Sequence, residues 1–318
     1  MTNIHKIYPP NWSTLYQSVN LLNQGELVAF PTETVYGLGA DATNEQAVSK
    51  IFAIKNRPHF NPLITHVAEV DQARDLAVFN DQALELARYF WPGPLTLVLN
   101  RQKNCSISSL ACAGLDTIAI RIPRNPTAQN LLIAFDKPIV APSANLSGKV
   151  SPTTAAHVSQ ALSNKIDIII DGGNCEVGIE STIINLTQDI PVLLRPGAIT
   201  LEQLKSHINI LENASKDIRA PGMLSQHYAP DLPLRLNVTE VYDNEALLAF
   251  GSPIPCKTNV IKNLSLDGNL EEAAINLFSM LRDLDQSDKV TSIAVMPIPE
   301  NGLGMAINDR LRRAAARS

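Results

Sequence analysis

Apolar positions in the first two hundred residues switch between short runs with strand character and longer stretches at helical spacing. Leu27, Val28, Ala29 and Phe30 read as a buried strand that breaks at Pro31. Ala47, Val48, Ile51 and Phe52 recur at helical intervals behind Asn44, a natural N-cap, and Pro58 predicts where that helix stops. In Thr117-Ile118-Ala119-Ile120-Arg121-Ile122-Pro123, strict alternation puts the three isoleucines on one strand face and Thr117 with Arg121 on the other. Residues 138–141 predict another strand, ended by Pro142. Ser151-Pro152 predicts a helix start, with the serine as cap and the proline at the first position. Helical spacing over 201–208 closes this region.

From Asn213 to Pro230 the chain becomes polar and poorly periodic, and at Leu232 the pattern restarts. Apolar segments at 246–250, 259–261 and 292–296 predict strands. Ala273, Ala274, Leu277, Phe278 and Leu281 line one side of a helix over 270–284, and another helix spans 306–316. Alternating strands and helices predict an α/β fold. Three segments are expected: a domain with mixed strand directions over 1–205, an ordered linker over 206–231 folded against the site, and a small domain with a parallel, Rossmann-like sheet over 232–318.

Composition narrows the classes of function. A chain of 318 residues with 45% hydrophobic content can bury two cores. A net charge of −5 argues against nucleic-acid binding as the main task. No apolar run approaches the roughly 20 residues of a membrane span and no signal-peptide core opens the sequence, so a cytoplasmic location is expected. Cys105, Cys112, Cys175 and Cys256 match none of the common zinc spacings and read as free thiols. The sequence contains no P-loop, no Gly-x-Ser-x-Gly elbow and no His-Glu-x-x-His helix.

The candidate chemistry lies where elements end. Lys55-x-Arg57 falls at the C-terminal end of its helix, and Ser143-x-Asn145 follows the strand that Pro142 terminates. A helix opening at Ser151 presents free N–H groups, which suits a phosphate. Arg121, a lone cation in an apolar strand, needs a partner or an anion. The residues from Thr32 to Gly39 read as a loop rich in hydroxyls and glycine. Singly, most of these are ordinary: a cation near a helix C-terminus is favoured by the dipole, Ser143, Asn145 and Ser151 are common turn and cap residues, and His66 suits a strand. Together they read as a phosphate site without a glycine-rich loop, and so as an ATP-using enzyme.

Two rival readings are weaker. Gly37-x-Gly39-x-x-Ala42 imitates a dinucleotide fingerprint, but residues 31–36 separate it from the strand and no acid stands about 20 residues on. Lys50, Lys55, Arg57, Arg121, Arg124 and Lys149 suggest an RNA-binding module, for which 5% aromatic content is poor.

Pro31-Thr32-Glu33-Thr34-Val35-Tyr36-Gly37-Leu38, Lys55-Asn56-Arg57-Pro58, Asn61-Pro62-Leu63, Trp91-Pro92-Gly93-Pro94-Leu95-Thr96, Ile120-Arg121-Ile122-Pro123, Ala141-Pro142-Ser143-Ala144-Asn145-Leu146-Ser147-Gly148 and Leu194-Arg195-Pro196-Gly197 closely resemble the YrdC-like threonylcarbamoyl-AMP synthase family. Pro221-Gly222-Met223-x-x-x-His227-Tyr228-Ala229-Pro230 resembles the linker of its long form, which carries an extra C-terminal domain. The resemblance implies a YrdC-like twisted mixed sheet. It implies an enzyme making L-threonylcarbamoyl-adenylate and pyrophosphate from L-threonine, bicarbonate or CO2, and ATP, with Mg2+ accompanying the nucleotide. Its product would pass to the tRNA threonylcarbamoyl transferase machinery, for an adenosine next to the anticodon, with room for weak direct tRNA binding.

By the same resemblance, Thr34, His66, Arg121, Ala141 and Ser181 would hold threonine. Some members carry Thr where this chain has Ala141, which would remove one hydroxyl contact. ATP would meet Arg57, Asn61, Thr117, Ser143, Ser151, Arg195 and Tyr228, with Lys55, Arg57, Ser143 and Asn145 stabilising the reacting phosphates. No residue pair identifies itself as a metal ligand. A carbamoyl-adenylate maker of the hydrogenase-maturation type shares the fold, but it adds acylphosphatase and zinc-finger segments that this sequence lacks.

Overall fold

The structure is a computed structural model that describes residues 6–162, 164–212 and 227–316. Its first half runs β1 (Ile7–Tyr8), α1 (Trp12–Asn23), β2 (Val28–Phe30), β3 (Gly37–Asp41), α2 (Glu45–Lys55), β4 (Ile64–His66), α3 (Val70–Leu76), α4 (Asp81–Phe90), β5 (Leu95–Asn100) and β6 (Thr117–Arg121). There follow α5 (Pro126–Phe135), β7 (Ile139–Val140), α6 (Ala155–Leu162), β8 (Ile168–Ile170), β9 (Thr182–Asn185), β10 (Val192–Arg195), α7 (Leu201–Lys205) and β11 (Leu211–Glu212). The remainder is β12 (Leu234–Arg235), β13 (Glu245–Ala249), β14 (Ile261–Asn263), α8 (Leu270–Asp285), β15 (Ser292–Val295) and α9 (Leu303–Ala315).

Strands β1 to β11 form one sheet in the order β1-β8-β2-β3-β7-β4-β6-β5-β9-β10-β11. It is mixed: β2 runs antiparallel to β3 and parallel to β8, and β6 runs parallel to β4 and antiparallel to β5. The second sheet, β12-β15-β13-β14, is parallel throughout, as the apolar runs after Leu232 predict. The α8 face carrying Ala273, Ala274, Leu277, Phe278 and Leu281 is buried. Its core also takes in Val35, Val150 and Ile179 from the first half, so apolar packing is continuous across the two sheets. No helix among the described residues is long and apolar enough to cross a membrane.

Asn44 caps α2 through bonds from the Gln46 and Ala47 amides, and the helix stops at Asn56, whose left-handed φ of 51° ends it before Pro58 can. Three expectations are corrected. Gly37 to Asp41 is a buried strand rather than a loop. A Cβ on Gly39 would sit 2.8 Å from the Phe30 ring and 3.2 Å from the Val28 carbonyl, so packing against β2 explains the glycine that imitated a dinucleotide motif. The helix expected at Ser151-Pro152 begins at Ala155, which leaves Ser151 off its N-terminus and removes the dipole argument for a phosphate there. The helix over 201–208 is shorter, ending at Lys205. Most of the linker, 213–226 with Pro221, Gly222 and Met223, lies outside the described residues.

Candidate active site

Parallel pairing of β4 with β6 sets His66 directly beside Arg121. Both close their strands at the same edge, and the residue after β7, Ala141, is tied there by its amide to the Ile64 carbonyl at 3.0 Å. Ser181 arrives from the turn before β9. Strand ends of a mixed sheet thus deliver one polar cluster to one edge, the usual place for a site in such folds. A cavity of about 50 Å³, opening into about 540 Å³ of empty space, lies between them.

All five residues expected to hold threonine line this cavity: Thr34, His66, Arg121, Ala141 and Ser181. Arg121, which as a cation in an apolar strand needs a partner or an anion, has a partner. Its Nη2 lies 2.7 Å from Glu33, its Nη1 donates to the Thr34 hydroxyl at 2.8 Å, and its Nε donates to the Gly93 carbonyl at 3.2 Å. Glu33 was overlooked as its partner, although it stands in the same motif as Thr34. The pair aims the guanidinium and compensates its burial. Beside it, burial and the Arg121 charge push the His66 imidazole down to about 3, so the ring is neutral, and its Nδ1 has no partner among the described residues.

The other side of the cavity is cationic. Arg57 spends Nε and Nη2 on the carbonyls of Asn61 and Pro62 and has no carboxylate within ion-pair distance among the described residues. Arg195 crosses the opposite wall, donating to the Ser181 carbonyl at 2.8 Å and the Ser181 hydroxyl at 3.1 Å. Gly197 makes that turn possible, since a Cβ there would fall 2.4 Å from the Thr182 amide. Burial, and then the charges of Arg57, Lys55, Arg195 and Arg310, hold His227 well below the usual imidazole range. That crowding of buried positive charge is what an anion relieves.

Ser143 and Tyr228 also line the cavity, as expected of nucleotide contacts, but five other predicted residues do not. Lys55 is buried with its ammonium bound to the carbonyls of Ser143, at 2.5 Å, and of Asn145, so it ties down that loop rather than facing an open phosphate site. Asn145 is turned inward, donating to the Leu146 and Lys149 carbonyls. Asn61 is buried beside Arg57 with its side-chain amide unpartnered among the described residues. Ser151 donates its hydroxyl to Glu180 at 2.5 Å. Thr117 begins β6, four residues from Arg121 and so roughly 13 Å along the strand, too far to share the cavity.

Sequence reasoning missed Glu180, His227 and Arg310. Glu180 lines the cavity, and burial pushes its carboxyl up, but the charges of Arg310 and Arg195 and the Ser151 bond outweigh this and leave it below its ordinary value. Arg310 comes from α9, where the helical pattern marked only an amphipathic surface. His227 was visible in the linker motif but was given no role. Tyr228 has φ 66°, a left-handed conformation that costs a bulky residue energy and is held by its surroundings. Those surroundings include the Phe278 ring, 5.6 Å away, and the Ala229 amide bonded to the Gly148 carbonyl at 2.8 Å.

A family model described as "Telomere recombination" matches residues 20–197, and one described as "Threonylcarbamoyl-AMP synthase, C-terminal domain" matches residues 199–316. The chain is 42% identical to the threonylcarbamoyl-AMP synthase of Pyrococcus abyssi, over 94% of its own length and 93% of that protein. It is 41% identical to the threonylcarbamoyl-AMP synthase of Bacillus subtilis, over 94% and 92%. A crystal structure of P. abyssi Sua5 complexed with L-threonine superposes with a TM-score of 0.88 at 38% identity, covering 98% of this chain and 97% of that one. Two family models meeting end to end, and relatives matched over nearly their whole length, place this chain in the threonylcarbamoyl-AMP synthase family.

Proposed function

We propose that this chain joins L-threonine, CO2 or bicarbonate, and ATP into L-threonylcarbamoyl-adenylate, releasing pyrophosphate, for the threonylcarbamoyl modification of tRNA next to the anticodon. The observation that carries the reading is the two-sided cavity. One side groups Arg121, Thr34, Ser181 and a neutral His66, which suit an amino acid. The other groups Arg57 and Arg195, which suit a polyphosphate. Buried polar atoms without partners among the described residues, His66 Nδ1, His227 Nδ1 and the Tyr228 hydroxyl, mark where ligands supply the missing bonds.

In this reading the threonine amine adds CO2 to form a carbamate and loses a proton. A carbamate oxygen then attacks the α-phosphorus in line, and pyrophosphate departs from the opposite side. No side chain has to act as nucleophile. Arg121, held by Glu33, grips the carboxylate, and Arg57 and Arg195 offset the charge that builds on the phosphates, so positioning and electrostatics carry the rate. No group of three or more His, Cys, Asp or Glu among the described residues is placed to hold a metal, so Mg2+ would have to come with the nucleotide, where it would supply neutralisation of phosphate charge beside Arg57 and Arg195.

The cavity as it stands has room for only a few waters. ATP therefore requires His227 and Tyr228 to move, and the linker acts as a lid over a catalytic domain spanning 1–205. The product's destination makes the cytoplasm the working compartment, and transferases acting on tRNA are its downstream partners. Pyrophosphate release, measured while threonine and bicarbonate are omitted in turn and threonine is replaced by other amino acids, tests the reading. Release that needs both supports it, and release without threonine overturns it.

A further inference from the structure

Arg310 is fully buried, although it belongs to α9 on the small parallel sheet. A guanidinium is rarely buried so completely unless every contact is specific. Its contacts reach into the other half of the molecule: Nε to Glu180 at 2.8 Å and Nη1 to the Pro196 carbonyl at 2.9 Å. Nη1 also meets the neighbouring Asp309 at 2.7 Å, and the guanidinium carbon lies 5.2 Å from the centre of the Tyr228 ring.

Two of those partners, Glu180 and Tyr228, line the cavity, and Pro196 adjoins a third lining residue. Glu180 lines the cavity and accepts with its other oxygen from the Ser151 hydroxyl. Pro196 follows Arg195. Tyr228 closes the cavity, and the amide before it, that of His227, bonds to the Arg313 carbonyl of α9 at 3.3 Å. One side chain therefore touches the carboxylate, the turn and the ring that bound the polyphosphate space.

We propose that Arg310 is a positioning residue for the nucleotide half of the site, acting by masking the Glu180 carboxylate and turning it towards Ser151. The proposal rests on reading this cavity as the ATP and threonine site. Without Arg310, Glu180 keeps only Arg195 and the Ser151 bond against its charge and stands under-compensated in the wall of a cavity that has to accept a triphosphate, where like charges repel strongly in a buried setting. A residue that merely pinned two domains together would need the Pro196 contact but no cavity carboxylate. Its loss would weaken both substrates alike.

The test uses the full chain with pyrophosphate release as readout, varying ATP and threonine separately, and thermal melts to establish the folded fraction. Arg310→Met is expected to raise the KM for ATP about tenfold or more and to leave that for threonine within about threefold. Adding Glu180→Gln to Arg310→Met removes the under-compensated charge and is expected to recover most of the ATP affinity, a rescue that a structural pin does not predict. Equal loss for both substrates, or no rescue, overturns the proposal. Should Arg310→Met fail to fold, Arg310→Lys against Arg310→Gln decides by titration with a non-hydrolysable ATP analogue. A lysine keeps the charge beside Glu180 whereas Arg310→Gln removes it, so binding near wild type for lysine with several-fold weaker binding for glutamine supports the proposal, and equal binding by the two refutes it. A wild-type chain that releases no pyrophosphate under any combination refutes the proposed reaction, whereas an active wild type with ATP-indifferent variants refutes only the role of Arg310.

Discussion

Glu33 and Arg121 lie 2.7 Å apart with side chains 1% and 4% exposed, an ion pair sealed inside the sheet edge that holds the amino-acid side of the cavity. Breaking such a pair from one end leaves a buried charge uncompensated, at a cost of about 3–5 kcal/mol. Arg121→Ala therefore confuses unfolding with lost binding. Arg121→Lys keeps the charge but loses the fork. We expect it to raise the threonine KM about tenfold while moving the ATP KM less than about twofold. Equal changes in the two constants would remove Arg121 from the threonine side.

Lys55 is expected to act on stability first. Its ammonium binds the carbonyls of Ser143 and Asn145; the first also accepts from the Asn145 amide at 3.0 Å, so Lys55→Met takes the partner from the buried Asn145 carbonyl, at about 1–3 kcal/mol. Chemical denaturation should show that loss, and activity should fall with the loosened loop. An intact midpoint with abolished turnover would instead restore a direct phosphate role.

Tyr228→Phe is expected to move stability and function in opposite directions. The hydroxyl is buried with no hydrogen-bond partner among the described residues, so its removal should leave the melting temperature unchanged or slightly higher. Nucleotide affinity should nevertheless fall several-fold. An unchanged KM for ATP would mean the hydroxyl meets no ligand.

His66 makes the fold sensitive to acid. Its imidazole is held at about 3, against 6.5 in an unfolded chain, so between those values the unfolded state binds a proton that the folded state refuses. Stability is then complete above about pH 6.5 and declines as pH falls towards 3. His157, pushed down to about 4 mainly by burial, adds the same sign. Glu180 contributes only further down, below the ordinary carboxylate range. Melts from pH 7 to pH 4 should show the decline, and His66→Gln should flatten part of it. A variant slope matching wild type would exclude His66 as the source.

Gly197→Ala places a methyl carbon 2.4 Å from the Thr182 amide and 2.5 Å from the Glu180 carbonyl, contacts that only backbone movement relieves. A cost of about 1–3 kcal/mol and a displaced Arg195 are expected. Gly114→Asn, at φ 73° with open space where the Cβ would go, serves as the mild comparison. Equal melting temperatures for the two variants would contradict the close approach.

What was legible in the sequence follows the range of the forces involved. Helix α2 was readable from a cap, a spacing and a stop within a dozen residues, and the parallel second sheet from apolar runs flanking a helical stretch. The threonine-side residues were readable because a resemblance quoted them motif by motif. Glu33 was hidden in plain view, since its partner lies 88 residues on and nothing local announces a pairing across the sheet. Thr117 shows the opposite limit: alternation assigns a face but says nothing about which end of a strand meets the cavity, and Thr117 is not among the residues that line it. Ser151-Pro152 has the chemistry of a helix start, yet the Glu180 carboxylate claims the serine and the helix begins later.

The bond from Arg310 to Glu180 joins residues 130 positions apart, and β8 closes the sheet between β1 and β2 only after α1 through β7 have been laid down. During synthesis the chain therefore exposes strands before their neighbours exist, and Glu180 waits 130 residues for the charge of Arg310. Contacts so distant in sequence favour slow, late assembly. A ribosome-bound fragment ending before α9 would carry the sheet without the residue that masks the cavity's carboxylate, so full affinity for ATP would come only with that helix.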